Sequence, residues 1–319
     1  MISNFQNFFF FFLFQSSVGL TRFFLLALLC FLFILIVGIS ISSSGALVAS
    51  ASWDGTCQVY DLNSNRTVQT LQHENGLYAV DFAPKMEMFL ATASSETCVL
   101  WSAESGRRLR RLDEHKDEIN GLRFAPKGRH LATASADCTC REWDVETGTS
   151  IHLFRGHQSE VYGVSYCPDK PLIATASFDK TCKVWDYKSS GASEKAVRTL
   201  EGHKDSVIGC HIHPDGNLIA TGSDDKTCRL WDIRNWQCLA VLHHHEGDVK
   251  RVKFSNGGAF LATTSGDKSV RIYSIASLHC VRILNAHSDH VFDVAWSPRD
   301  DFIVSASHDL TWNLWEPNI

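Results

Sequence analysis

The sequence predicts an all-β fold, a ring of seven small sheets arranged as propeller blades, and three observations predict it. First, five times a His is followed 22 positions later by an Asp and 6 positions after that by an aromatic residue. The sets are His115/Asp137/Trp143, His157/Asp179/Trp185, His203/Asp225/Trp231, His245/Asp267/Tyr273 and His287/Asp309/Trp315. Second, the unit repeats about every 40 residues and carries four short stretches of strand-like pattern, as propeller blades do. Third, helix signals are absent after residue 42.

The clearest unit runs from residue 155 to residue 200. Val161-Tyr-Gly-Val-Ser-Tyr166 alternates, and Pro168-Asp-Lys-Pro171 turns the chain. Leu172-Ile-Ala-Thr-Ala-Ser177 is nearly continuous in apolar and small residues, as expected of a strand buried on both faces. Phe178-Asp-Lys180 turns again, Thr181-Cys-Lys-Val-Trp185 alternates, and Val197-Arg-Thr-Leu200 is the outer strand. The small residues Ala174 to Ser177 let neighbouring sheets approach closely. The insert from Tyr187 to Lys195, rich in Ser and Gly, is predicted to be a flexible loop.

The other units follow in order. The first, residues 36–71, has a tight turn at Asp54-Gly55 and no His; Leu32 stands where the His belongs. The second, residues 72–112, keeps His73, but its Ala91-to-Glu96 stretch is one residue short and offers Glu96 in place of Asp. Four units, 113–154, 155–200, 201–242 and 243–284, are regular. The last, residues 285–319, ends soon after Trp315 and has room for three strands.

Composition narrows the function. A net charge of −5 gives no basic stripe for nucleic acid. Of 11 cysteines, Cys57, Cys140, Cys182 and Cys228 each lie three residues after a repeat Asp. They are repeat positions, not a ligand cluster, and no zinc-type pairing of cysteine motifs occurs. Buried free thiols act as small apolar groups and suit a reducing compartment, cytoplasmic or nuclear. His243-His-His245 is the densest local His cluster, but His245 is the repeat His, and no metal or other cofactor is expected. No phosphate-cradling glycine loop occurs.

Residues 1–35 form a separate hydrophobic segment ahead of the repeat array at 36–319. The first 41 residues hold eleven of the twenty Phe, and Arg22 is their only charged side chain. Phe23 to Ile41 is long enough to cross a ~30 Å hydrocarbon layer as a helix. The same stretch overlaps the inner strand of the first unit, because Ile36–Ser42 aligns with Val207–His213. Three readings stand: a membrane anchor, a non-native start of the kind that translated pyrimidine-rich sequence would give, and a strand that closes the ring.

These repeats resemble the WD-repeat family of β-propellers over residues 36–319. The resemblance implies a buried hydrogen-bonded chain in each blade from His, strand Ser, turn Asp and strand Trp. It maps onto His115-Ser135-Asp137-Trp143, His157-Ser177-Asp179-Trp185, His203-Ser223-Asp225-Trp231 and His287-Ser307-Asp309-Trp315. In the sixth unit it maps onto His245-Ser265-Asp267, with Tyr273 replacing Trp. It also implies that the last blade's missing outer strand comes from the N-terminus. Ser, His and Asp together suggest nucleophilic catalysis, but a nucleophile is wanted once and exposed, whereas this trio recurs in most blades. An enzyme is therefore not expected.

In such propellers the residue before the turn Asp points to one rim of the ring. Those positions are Trp53, Ala136, Phe178, Asp224, Gly266 and His308. Exposed aromatics there would anchor proteins or peptides. The expected function is a non-catalytic interaction scaffold, with a membrane-anchored adaptor as the alternative if residues 23–41 span. A narrower alternative comes from Ile219 to Arg234. This stretch resembles the box by which some WD-repeat proteins bind the large propeller adaptor of a cullin–RING ubiquitin ligase. Ile173 to Lys188 resembles it too. Arg234, just past its strand, would offer a planar fork to a partner.

Overall fold

The computed structural model describes residues 35–85, 89–188 and 195–316. Twenty-seven strands form seven antiparallel sheets in these residues. Six sheets have four strands in sequential order, and the seventh has three, Val291–Trp296, Ile303–Ser307 and Trp312–Trp315. The blades span residues 36–72, 79–112, 119–155, 161–200, 207–242, 249–284 and 291–315. No helix occurs among the described residues, and none is long and apolar enough to cross a membrane. A membrane-crossing helix from Phe23 to Ile41 is not formed as expected, because Ile36–Ile41 is the inner strand of blade 1. The rest of the anchor reading, the non-native start and the closing strand concern residues 1–34, outside those described. Most of the expected loop at 187–195 also lies outside them.

The second strand of each blade explains the packing. Leu172–Ser177 is buried from Ile173 onward, and Ala132, Ala134, Ala174 and Ala176 have no exposed surface. Their small side chains make room for the large residues of the next sheet. Phe154 of blade 3, with Ala132 and Ala134, packs against Val161, Tyr166, Ile173 and Trp185 of blade 4. Burying each such side chain stabilises the ring by roughly 1.5–3 kcal/mol. Cys57, Cys140, Cys182 and Cys228 are free and buried in these layers. Burial pushes the Cys57 thiol up to about 12, so it stays protonated and packs as an apolar group.

The ring is closed by packing between its ends. Ile36, Ile39, Val48 and Tyr60 of blade 1 cluster with Val304, Ala306 and Trp312 of blade 7. The rings of Tyr60 and Trp312 meet edge to face at 5.4 Å. Next to the channel, side chains of one blade satisfy backbone N–H groups of the next. Ser40 Oγ accepts from Phe82 N, Asp81 from Phe124 N, Ser165 Oγ from Ile212 N and His211 Nδ1 from Phe254 N. These bonds satisfy edge groups of the inner strands, which as buried polar groups require partners.

Candidate functional site

Three sets of polar or aromatic side chains were singled out by the sequence. The first is the repeated buried network. In blades 3, 4 and 5 the His Nδ1 meets the Asp Oδ2 at 2.7, 2.7 and 2.8 Å, and blades 6 and 7 repeat it at 2.8 Å. The His Nε2 meets a strand hydroxyl: Thr133, Thr175, Thr221, Thr263 or Ser305. The indole N–H of Trp143, Trp185, Trp231 and Trp315 donates to the same oxygen in its own blade.

This corrects one expectation. The hydroxyl joining ring to indole is not Ser135, Ser177, Ser223 or Ser307. Those residues share a face with the linking hydroxyl, two positions earlier, but lie at the strand end beside the turn. Each accepts the backbone N–H of its turn Asp and donates to a carbonyl across the loop, as Ser177 does to Ser159. Ser265 likewise accepts the N–H of Asp267. In none of these five blades does the turn Ser hydroxyl bond to the His; in blade 7 the linking hydroxyl on His287 is itself a serine, Ser305, which is fully buried and also accepts the Trp315 indole N–H.

The Asp holds the turn as well as the ring. Asp179 Oδ1 accepts from the N–H and the hydroxyl of Thr181, at 3.0 and 2.6 Å. Between them Lys180 adopts a left-handed φ of 69°. Burial opposes the charge on Asp225, but Thr227, the Lys204 N–H and His203 outweigh it and hold its carboxyl down at about 2. Burial likewise opposes the charge on Asp309, and His287 and Thr311 outweigh it, again to about 2.

The second set is the rim. Trp53 and Phe178 stand 46% and 39% exposed. Trp53 lies edge-on to Tyr78 and to His308, at 6.3 and 5.6 Å. Phe178 stacks on Tyr162 at 5.0 Å, and His308 on Phe292 at 3.9 Å. Asp224 lies 3.7 Å from Lys250, which also pairs with Asp248. Ala136 is half-buried, and at Gly266 the Asp248 carboxylate occupies the space a Cβ would take. Burial raises the Asp224 pKa and lowers that of His308.

Tyr78, Tyr162, Lys250 and Phe292 went unremarked in the sequence. The last three are bulged residues of the inner strands, and a bulge re-aims a side chain. Their spacing near the repeat length was the available signal.

The third is Arg234. It follows the strand Cys228–Asp232, at the opposite end of its blade from Asp224. Its side chain is 70% exposed, yet its fork is turned onto Asp232, with Nε–Oδ1 at 2.9 Å and a second nitrogen at 2.6 Å from Oδ2.

At the channel mouth on that same end, a cavity of about 440 Å³ is lined by Asp81, Arg123, His211 and Lys253 among others. Burial and the nearby Arg123 charge pull Lys253 down to about 8. No cluster of three or more metal-binding side chains occurs among the described residues.

A seven-bladed propeller with this repeated His–hydroxyl–indole chain defines a class of protein. The WD domain, G-beta repeat family (WD40) matches residues 35–61, 106–144, 148–186, 194–232, 236–274 and 278–316, and the chain belongs to that family. The unmatched stretch between the first two matches, residues 62–105, contains most of blade 2. Comparison with curated proteins gave no match. Propellers of this family are typical protein-interaction scaffolds, generally without catalysis.

Proposed function

We propose that the protein is a non-catalytic platform that captures a protein or peptide on the rim carrying Trp53, Phe178, His308 and Asp224. One observation carries this reading: Trp53 and Phe178 stand 46% and 39% exposed on the ring, braced by Tyr78 and Tyr162, with His308 stacked on Phe292 beside Trp53. Large rings held in place lose little entropy on binding and dominate interface energies. The test is the double variant Trp53→Ala, Phe178→Ala. Partner capture should fall while the melting temperature holds. Unfolding of the variant would make the two rings structural.

A second reading assigns Arg234 to an adaptor of a cullin–RING ligase, and its 70% exposed side chain favours it. The partner would have to share the fork with Asp232 or displace it. The membrane-anchored adaptor needs a span over residues 23–41; with Ile36–Ile41 in a blade strand, any anchor would have to lie upstream, and cell fractionation of the chain with and without residues 1–35 decides it.

A further inference from the structure

Blade 2 departs from its siblings at one point. In five blades the Asp Oδ2 accepts the ring N–H of the His and also the backbone N–H of the next residue, as in Gln158 N to Asp179 at 3.0 Å. In blade 2 the turn is a residue shorter, and Ser94 N closes directly on Thr97 O at 2.9 Å. Glu96 is exposed there, and no carboxylate bonds to His73 among the described residues.

The remainder of the chain is intact. The Trp101 indole N–H donates to Thr92 Oγ1 at 2.7 Å, and Thr92 Oγ1 lies 2.6 Å from His73 Nε2. An indole N–H can only donate, so the Thr92 oxygen accepts it, and because a hydroxyl oxygen has a second lone pair the contact to Nε2 fits either tautomer of the ring. His73 is only 7% exposed, and no hydrogen bond joins its Nδ1 to another group among the described residues.

A cavity of about 260 Å³ opens beside it, lined by His73, Ser94, Thr97, Arg108 and Arg111 among others. The Arg108 guanidinium lies 5.2 Å from the Trp101 ring centre and gives one N–H to the Gln72 carbonyl. Arg111 pairs with Asp113 at 3.2 Å on the surface. Arg110 and Glu74 also line the cavity, so three guanidiniums stand against one carboxylate. Burial, and then Arg108 and Arg111, push the His73 ring down to about 4. The ring is therefore neutral at pH 7 and stands among cations, with no carboxylate bonded to it among the described residues.

We propose that this cavity binds a compact oxyanion, a phosphate or a carboxylate, seated where the sibling blades hold their aspartate. The anion would accept the Nδ1–H of His73 and N–H groups of Arg108 and Arg111. Charge-assisted bonds of this kind are the stronger class. The site is independent of the aromatic rim: it needs neither Trp53 nor Phe178.

The test uses the full 319-residue chain, purified in mild detergent. Inorganic phosphate, acetate and chloride are titrated at one ionic strength. A ligand that binds only the folded state raises the melting temperature, and the stabilisation grows with the logarithm of ligand concentration above its Kd. Phosphate or acetate should do so and chloride should not, and whichever of the two acts more strongly fixes the class of anion. The anion should also lift the His73 ring pKa, read by NMR, from about 4 towards the ordinary histidine range. His73→Gln and Arg108→Gln should each weaken the response about tenfold or more. Should either variant fail to fold, the wild-type His73 resonance decides alone. Lengthening the turn by one residue together with Glu96→Asp supplies an internal carboxylate. That variant should melt higher and lose the response. Equal melting shifts with all three anions, an unmoved His73 resonance, or a response that survives the filled turn would overturn the proposal.

Discussion

Glu142 of blade 3 and Tyr166 of blade 4 meet at 2.9 Å, the carboxylate accepting the phenolic proton where both are buried. The other carboxylate oxygen meets His152 Nδ1 at 2.7 Å, and His130 Nδ1 lies 3.2 Å from the oxygen that Tyr166 bonds. Burial, reinforced by the Glu142 charge, pushes the Tyr166 hydroxyl well above its usual range, so it remains a donor. The carboxylate thus has a partner for each oxygen in the interior, as a buried charge requires.

Glu142→Gln tests that arrangement. The new amide keeps the shape but presents N–H groups to donors on one side. The expected cost is about 1–3 kcal/mol, the usual penalty for a buried polar group left without its partner. The readout is thermal or urea unfolding against the parent. An unchanged midpoint would mean that the Tyr166 and His152 bonds contribute nothing net.

The shared hydroxyl of each blade makes a sharper comparison. Thr175→Val removes the group that serves both His157 and Trp185 while keeping the volume. It should cost about 1–3 kcal/mol. Ser177→Ala removes only the turn bonds to Asp179 N and Ser159 O, and should cost less. Asp179→Ala strips His157, the Gln158 N–H and Thr181 of their acceptor at once, and should cost the most. The order of unfolding midpoints checks this. If Ser177→Ala were the worst, the indole link would not be the stabilising element.

The same network sets an acid limit. Asp225 and Asp309 titrate near 2 in the fold against an ordinary value near 3.8. The unfolded chain therefore takes up protons first as pH falls. Stability from these groups is full above about pH 4 and is lost progressively as pH falls through about 2. Unfolding free energy measured from pH 6 to pH 2 should drop in that window. Asp309→Asn should flatten the drop. A slope identical to the parent would remove Asp309 from the account.

The ring and its blade count were legible because two spacings stay fixed in five units, and because Leu172–Ser177 and its siblings read as strands buried on both faces. Much of the network was legible for the same reason: Asp179 and His157 cannot vary without breaking both turn and ring. The linking hydroxyl was not, because Thr175 and Ser177 alternate onto one face and sequence alone does not say which stands level with the indole. The rim was half legible. Trp53 and Phe178 precede the turn Asp, but Tyr162 and Phe292 reach the rim through bulges that change which way a residue points. Glu142 and Tyr166 lie 24 residues apart in different blades, and no repeat rule links them.

The outer edge of Trp312–Trp315 has no partner strand among the described residues, whereas Cys182–Asp186 is paired on both sides. Amides at the unpaired edge should exchange faster than those of Cys182–Asp186, because an edge presents unpaired N–H groups to solvent. Hydrogen exchange read by mass spectrometry measures both segments in one experiment. Equal protection would mean that another segment of the chain covers that edge.

Arg234 gives the narrowest prediction. Asp232 accepts both its backbone N–H and its guanidinium, and these bonds hold the Asp232 carboxyl down at about 2. The pair therefore stays charged through the physiological range and is lost only in strong acid. Because the side chain is largely in solvent, Arg234→Ala should leave the melting temperature unchanged. Arg234→Lys keeps the charge but loses the planar fork. If the fork recognises a ligase adaptor, both variants should lose co-purification with the adaptor while wild type retains it. Retention by the lysine variant alone would make the contact one of charge. Failure of the wild-type chain to capture the adaptor at all would leave Arg234 as the partner of Asp232 and nothing more.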